Sequence, residues 1–236
     1  MTKDEFLKSV IDLGIDINEE VYSKLYKYYE ELNIWNNKFN MTNILKEEDV
    51  FLLHFYDSLC LTKSFDFNKK ISLCDFGTGA GFPGLVLAIL FNNISVTLVE
   101  SNQKKCGFLE YMCNELNLNN VNVVCSRIED YSRINREKFD IVTCRAVTSI
   151  PMIIELSTSS IKVGGYLMPL KSDCEEEVNK YKYLLKDFNL ELESIIKYNL
   201  PINDAVRMIP KYKKINITNN KYPRNYSTLV KMYKNK

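Results

Sequence analysis

Histidine is nearly absent from this 236-residue chain: His54 is the only one. A serine–histidine–carboxylate relay or a histidine/cysteine zinc site would therefore rest on that single ring, and no metal is expected. The seven cysteines (Cys60, Cys74, Cys106, Cys113, Cys125, Cys144, Cys174) are odd in number and contain no Cys-x-x-Cys pair. Most lie beside apolar neighbours and read as reduced, buried thiols, which points to the cytoplasm and away from a disulfide scaffold. No apolar run approaches the roughly 20 residues that span a bilayer. The amino end, Met1-Thr2-Lys3-Asp4-Glu5, is acidic and has no apolar signal core. An excess of one charge is also lacking, with 31 Lys+Arg against 30 Asp+Glu. Glycine is sparse, eight in all, yet four of the eight fall between positions 77 and 84.

What is present is globular: 46% hydrophobic, 26% charged and 12% aromatic residues, in a chain long enough to bury a sizeable core. Residues 1–66 carry apolar side chains at helical spacing (Phe6, Leu7, Val10, Ile11; then Val21, Leu25, Tyr28, Leu32, Trp35; then Val50, Leu53, Tyr56, Leu59) and read as a helical cap, with Asn18 as a helix N-cap. From residue 67 onward short β-type runs alternate with helical ones. Strands are predicted over 71–75, 95–99, 121–125 and 139–144, and helices over 83–91, 104–116 and 151–159. Residues 163–168 read as a turn into a strand, 175–186 as a helix, and 190–198 and 205–212 as strands. The alternation predicts an α/β fold, a doubly wound, mostly parallel sheet.

After Ser194 the chain turns basic. Lys197, Arg207, Lys211, Lys213, Lys214, Lys221, Arg224, Lys231, Lys234 and Lys236 face a single acid, Asp204, with tyrosines interleaved. Such a segment can neutralise phosphates and stack on bases, with Arg207 and Arg224 the expected phosphate contacts; a merely solvated lysine-rich end is the alternative.

The stretch Asp75-Phe76-Gly77-Thr78-Gly79-Ala80-Gly81-Phe82-Pro83-Gly84 carries the chemistry. Strand, glycine turn and helix place a ligand at the carboxyl ends of parallel strands. Gly79-x-Gly81-x-x-Gly84 also satisfies the dinucleotide fingerprint, which is weak alone. Asp75, two residues before the first glycine, suits the ammonium and sulfonium of S-adenosylmethionine and opposes a pyrophosphate. Glu100 closes the next strand, where a carboxylate can accept from ribose hydroxyls of either cofactor. Ser126-Arg127-Ile128-Glu129-Asp130 follows the third strand, where an adenine edge would lie.

Together with Trp35-Asn36, Asn40-Met41-Thr42, His54-Phe55-Tyr56-Asp57-Ser58-Leu59, Leu98-Val99-Glu100-Ser101, Thr143-Cys144-Arg145-Ala146 and Lys221-Tyr222-Pro223-Arg224, these motifs resemble the bacterial small-subunit rRNA guanine-N7 methyltransferase family (RsmG, also called glucose-inhibited division protein B, GidB). The resemblance implies a class I S-adenosylmethionine-dependent methyltransferase acting on guanine N7 in the decoding-region loop of 16S rRNA. Naked rRNA or the small ribosomal subunit would be the partner, with no membrane involved, and a monomer is expected. Carried over by position, cofactor contacts fall on Gly77, Phe82, Ile128, Glu129 and Arg145. Asp75, Gly79, Gly81 and Glu100 join them from the residue reading. Arg127, Arg145, Arg207 and Lys171 are the catalytic or RNA-handling candidates. Ile128 stands where the family usually has alanine, and after Arg224 the sequence leaves the family's Gly-Thr-Pro. Arg145 could bond guanine O6 or a phosphate, or form an ion pair with Glu129 or Asp140. Cys144, at the end of an apolar strand, is expected to be buried, and His54 to be a structural histidine. Two other readings stay open: an NAD(P)-dependent oxidoreductase using the same glycines, and a non-enzymatic RNA-binding assembly factor.

Overall fold

The computed structural model describes residues 1–233; Lys234 and Lys236 of the basic end lie outside the described residues. The N-terminal helices are α1 (Lys3–Asp12) and α2 (Glu19–Asn36). A third helical run follows, in which α3 (Glu47–Val50) continues into a π-helical turn (Phe51–Tyr56), α4 (Asp57–Leu59) and a 3₁₀ turn (Cys60–Lys63). Asn18 caps α2 by accepting from the Val21 amide at 2.9 Å, and Thr2 with Glu5 forms a capping box on α1.

Strands and helices then alternate: β1 (Ser72–Phe76), α5 (Gly84–Leu90), β2 (Ser95–Glu100), α6 (Gln103–Glu115), β3 (Val121–Cys125), α7 (Ile128–Ile134), β4 (Phe139–Arg145), α8 (Ile150–Thr158), β5 (Ile161–Leu170), α9 (Glu175–Lys180), β6 (Leu190–Asn199), β7 (Val206–Lys214) and α10 (Tyr226–Tyr233). The seven strands lie in the order β3-β2-β1-β4-β5-β7-β6. The first five pair in parallel, and β7 runs antiparallel to both β5 and β6. Strand order reverses between β1 and β4, and open α/β sheets bind ligands beside that reversal, at the carboxyl ends of the strands. The glycine stretch follows β1, and Arg145 ends β4.

One face of the sheet shares its core with the N-terminal helices: Phe6, Leu25, Tyr28, Phe51 and Phe55 belong to the same apolar cluster as Phe82, Leu98 and Phe108. The other face is covered by α7, α8 and the carboxyl-terminal elements, through Tyr131, Ile153, Leu185 and Leu229. Because both faces are covered, the inner strands β1, β2 and β4 are buried nearly throughout rather than on alternate residues.

Three expectations need correction. The strand expected after a turn at 163–165 starts earlier, at Ile161, and takes the turn as a bulge: Gly164 has φ +87°, and pairing with β4 resumes at Tyr166, opposite Ile141. The helix expected over 175–186 breaks at Tyr181 into α9 and a 3₁₀ turn (Lys182–Lys186). Two cations of the basic end, Lys214 and Arg224, are structural, while Lys197, Lys213, Lys221 and Lys231 are exposed. Arg224 donates to Glu155 through its backbone N–H (2.9 Å), Nε (2.8 Å) and Nη2 (2.5 Å), and Glu155 is fully buried on α8. Lys214 is buried against the Thr158 carbonyl, and burial pushes its ammonium down to about 8. Arg136 holds the Tyr222 carbonyl at 3.0 Å, and Arg133 holds that of Pro223 at 3.2 Å. Arg224 is thus the partner that Glu155 requires, rather than an open phosphate contact.

Glu155→Ala should cost about 3 kcal/mol, because it leaves a half-buried guanidinium without its carboxylate. Urea unfolding monitored by circular dichroism would read this as a lowered midpoint at constant slope.

Candidate functional site

The loop after β1 is anchored at every turn. The amides of Gly77 and Thr78 donate to the Val99 carbonyl at 2.8 and 3.2 Å. Asp75 Oδ2 accepts from Thr78 Oγ1 (2.7 Å) and from the Gly84 amide (2.8 Å), and Glu100 Oε2 accepts from the Gly79 amide at 3.0 Å. From the helical side, the Tyr28 hydroxyl donates to the Ala80 carbonyl. Two glycines combine a positive φ with a steric block, and at Gly84 a Cβ would stand 2.5 Å from Leu98 Cδ2. Gly77 has φ +65°, and a Cβ there would stand 2.8 Å from Val147 Cγ2; Gly81 has φ +111°, and its Cβ would stand 2.5 Å from the Tyr28 hydroxyl. Above Gly79 there is open space, with nothing within 4 Å of a Cβ.

The residues fit S-adenosylmethionine and not a dinucleotide. A pyrophosphate needs the free N–H groups of a helix N-terminus. At α5 that position holds Pro83, which has no N–H, and Gly84, whose N–H already meets the Asp75 carboxylate. Glu100 is nearly buried; its Oε1 accepts from the Asn102 amide at 2.8 Å, and each oxygen keeps a second lone pair for a ribose hydroxyl. Asp75 departs from the expected open carboxylate. It is fully buried below the loop, and its Oδ1 has no hydrogen-bond partner. Burial pushes its carboxyl up to about 7, opposed by the hydrogen bonds from Thr78 and Gly84.

Ile128 and Glu129 open α7 beside this loop, both half-buried, with Ile128 Cδ1 3.6 Å from where a Gly77 Cβ would stand. Arg127, at the N-cap of α7, is exposed and makes no ion pair among the described residues. Phe82 is almost wholly enclosed, stacked between Tyr28 (centroids 5.5 Å apart) and His54 (4.2 Å).

Across Phe82 lies the second half of the site. The Arg145 guanidinium sits 5.1 Å from the Phe82 ring centre. It donates through Nη1 to the Leu53 carbonyl (2.6 Å) and Asp57 Oδ2 (3.3 Å), and through Nη2 to His54 Nδ1 (2.8 Å). Its ion-pair partner is therefore Asp57, not Glu129 or Asp140; Asp140 pairs with Lys162 at 2.8 Å. A guanidinium only donates, so His54 Nδ1 accepts and Nε2 carries the proton, directed at Thr42 Oγ1 3.0 Å away. Burial, reinforced by the Arg145 charge, pushes His54 down to about 3, so the ring is neutral. Asn36 Oδ1 accepts from the Met41 and Thr42 amides at 2.7 and 2.9 Å and fixes that segment. Ala146, next in the chain, adopts φ +55°, a left-handed conformation that non-glycine residues seldom take.

Arg145 opens onto a cleft of about 390 Å³ lined by Leu53, His54, Asp57, Lys171, Ser172 and Arg207, among others. Lys171 Nζ donates to the Thr148 carbonyl at 2.8 Å and lies 3.9 Å from Glu177. Arg207 Nε is 3.5 Å from Asp57 Oδ1. The structure thus gathers Arg145, Lys171 and Arg207 but leaves Arg127 off the cleft lining. It adds His54, Asp57, Tyr28 and Tyr198, which the sequence reading did not place in the site. The available signal was Asp57 itself, a carboxylate in an otherwise apolar helical run, which demands a buried partner.

Comparison with known proteins shows the family and the fold. Residues 21–203 match the family model GidB, rRNA small subunit methyltransferase G. The chain belongs to that family. It is 37% identical over 227 residues to ribosomal RNA small subunit methyltransferase G of Lysinibacillus sphaericus, covering 95% of each chain. It is 42% identical over 217 residues to the protein of the same name in Mycoplasma capricolum, covering 91% of this chain and 92% of that one. Among solved structures, a SAM-dependent methyltransferase from Aquifex aeolicus superposes with a TM-score of 0.54 at 18% identity, covering 72% of this chain and 94% of that one, and shares the fold.

Gly77→Ala forces a Cβ into Val147 and should abolish the rise in melting temperature that S-adenosylhomocysteine gives the wild type. Asp75 supplies a pH test. Between its ordinary value of 3.8 and its folded value of about 7, the unfolded chain has lost a proton that the folded chain keeps. Asp75 therefore contributes a stability that falls as pH rises through that window, opposed by His54, whose folded value of about 3 lies below its ordinary 6.5 and contributes a rise. Asp75→Asn should remove the falling contribution, so that in urea titrations at successive pH values the variant's stability climbs with pH more steeply than the wild type's.

Proposed function

We propose that this chain transfers the methyl group of S-adenosylmethionine to N7 of a guanine in the decoding-region loop of 16S rRNA, working in the cytoplasm. The observation that carries the reading is the contact of Arg145 with Phe82 of the glycine loop on one side while it lines, with Lys171 and Arg207, a cleft on the other. Bound S-adenosylmethionine supplies an electrophilic methyl on a sulfonium. Guanine N7 keeps an in-plane lone pair and carries no proton, so the protein needs no general base and contributes mainly orientation. His54 agrees with that economy, since its acceptor nitrogen is committed to Arg145. In the cleft, Arg145, Lys171 and Arg207 would hold a phosphate and guanine O6, which guanidinium groups recognise readily. Arg127, exposed beside the adenosine end, would meet RNA or cofactor from outside the cleft.

Cys144 gives no support to a covalent 5-methylcytosine mechanism. It is buried, and burial pushes its thiol up to about 12, far from a thiolate. The oxidoreductase reading loses its pyrophosphate position to Asp75 and Pro83. Among the described residues no helix is long and apolar enough to cross a membrane.

Methyl-labelled S-adenosylmethionine incubated with 16S rRNA or small subunits lacking the modification should put label on one guanine, mapped by cleavage at 7-methylguanine. Label at an exocyclic amine or a pyrimidine, or RNA binding with no transfer, would overturn the reading. Arg207→Gln should weaken RNA binding and lower its salt slope by about one, leaving affinity for S-adenosylhomocysteine unchanged by calorimetry.

A further inference from the structure

Arg145 ends β4 and Arg207 lies on β7, with β5 between those two strands. Nothing in the sheet's own hydrogen bonding brings the two guanidinium groups together, and their charges repel. One carboxylate from the N-terminal helical segment joins them. Asp57 Oδ2 is 3.3 Å from Arg145 Nη1, and Oδ1 is 3.5 Å from Arg207 Nε. Tyr198, on β6, donates its hydroxyl to Oδ1 at 3.1 Å. The Asp57 side chain is only 4% exposed, so it is not itself available to a nucleobase.

We propose that Asp57 is a positioning residue for methyl transfer: its carboxylate fixes Arg145 and Arg207 as a pair across the cleft, so that both meet the target nucleotide in one geometry. The proposal rests on the methyltransferase reading above and deepens it. One carboxylate between two guanidinium groups leaves the cleft net positive, with Lys171 adding to the excess. RNA is therefore still attracted while the direction of each guanidinium is set. His54 and the Leu53 carbonyl constrain the remaining face of Arg145. Arg207 has only Asp57 and its neighbouring Val206 carbonyl among the described residues, so its direction depends most on the carboxylate.

This arrangement gives a signature that separates positioning from binding. Asp57→Asn makes the cleft one unit more positive while releasing the two arginines. Turnover should fall about a hundredfold, the scale of a misplaced reacting group, while KM for 16S rRNA stays level or drops. A merely structural role would instead lower the fraction of protein able to bind S-adenosylhomocysteine, so rates are referred to sites counted by calorimetry. Tyr198→Phe removes one neutral donor and keeps the ring in the core; it should lower kcat about tenfold with KM unchanged, the low end of the scale for one hydrogen bond to a charged group. Asp57→Asn and Tyr198→Phe both retaining wild-type kcat per site, or raising KM at constant kcat, would overturn the proposal. Wild-type protein that binds S-adenosylhomocysteine yet transfers no methyl to 16S rRNA would instead bring down the function reading on which it stands.

Discussion

A charged guanidinium enclosed by protein must have its donors satisfied, and that requirement at Arg145 ties the molecule together. Arg145 is a sheet residue, but its acceptors, the Leu53 carbonyl, His54 Nδ1 and Asp57, all come from the helical run before the sheet. Removing one partner from such a group costs more than the contact itself is worth, because the charge stays behind unpaired. The N-terminal helices are therefore part of the site. The aromatic column Tyr28–Phe82–His54 carries the same dependence to the glycine loop. Tyr28 reaches the Ala80 carbonyl from α2, so one helical layer sets both the cofactor loop and the arginine beside it.

The loop expresses a second constraint. A turn built on glycines at φ +65° and +111° has little intrinsic preference for one shape. Here the shape is imposed by buried acceptors: Asp75 below, Glu100 to one side and the Val99 carbonyl behind. The same carboxylate that shapes the loop occupies the amino end of α5. One buried residue thereby takes the helix N–H that a phosphate-binding architecture would offer its ligand.

Much of this was legible in the sequence. The strand–helix alternation, the glycine loop and Glu100 follow from period and spacing, and the basic trio Arg145, Lys171 and Arg207 from the resemblance to the family. What escaped the reading shares a physical cause. Asp57 and Glu155 are acids inside apolar helical runs, each completed by an arginine distant in sequence, and a linear reading shows the acid without its partner. Glu155 therefore claimed Arg224, which the basic composition of the tail had assigned to RNA. The glycine pair 164–165 does bend the backbone, with Gly164 at φ +87°, but as a bulge inside β5, because Ile161 already pairs with Phe139 before it and Tyr166 pairs with Ile141 after it.

The most direct measurement is a crystal structure of the chain with S-adenosylhomocysteine. Ribose hydroxyls on Glu100, the amino-acid end beside Gly77, and the sulfur facing the Arg145 cleft with Arg145 still bonded to Leu53, His54 and Asp57 are the expected result. A ligand bound away from the glycine loop, or an Arg145 released from all three acceptors, would contradict it.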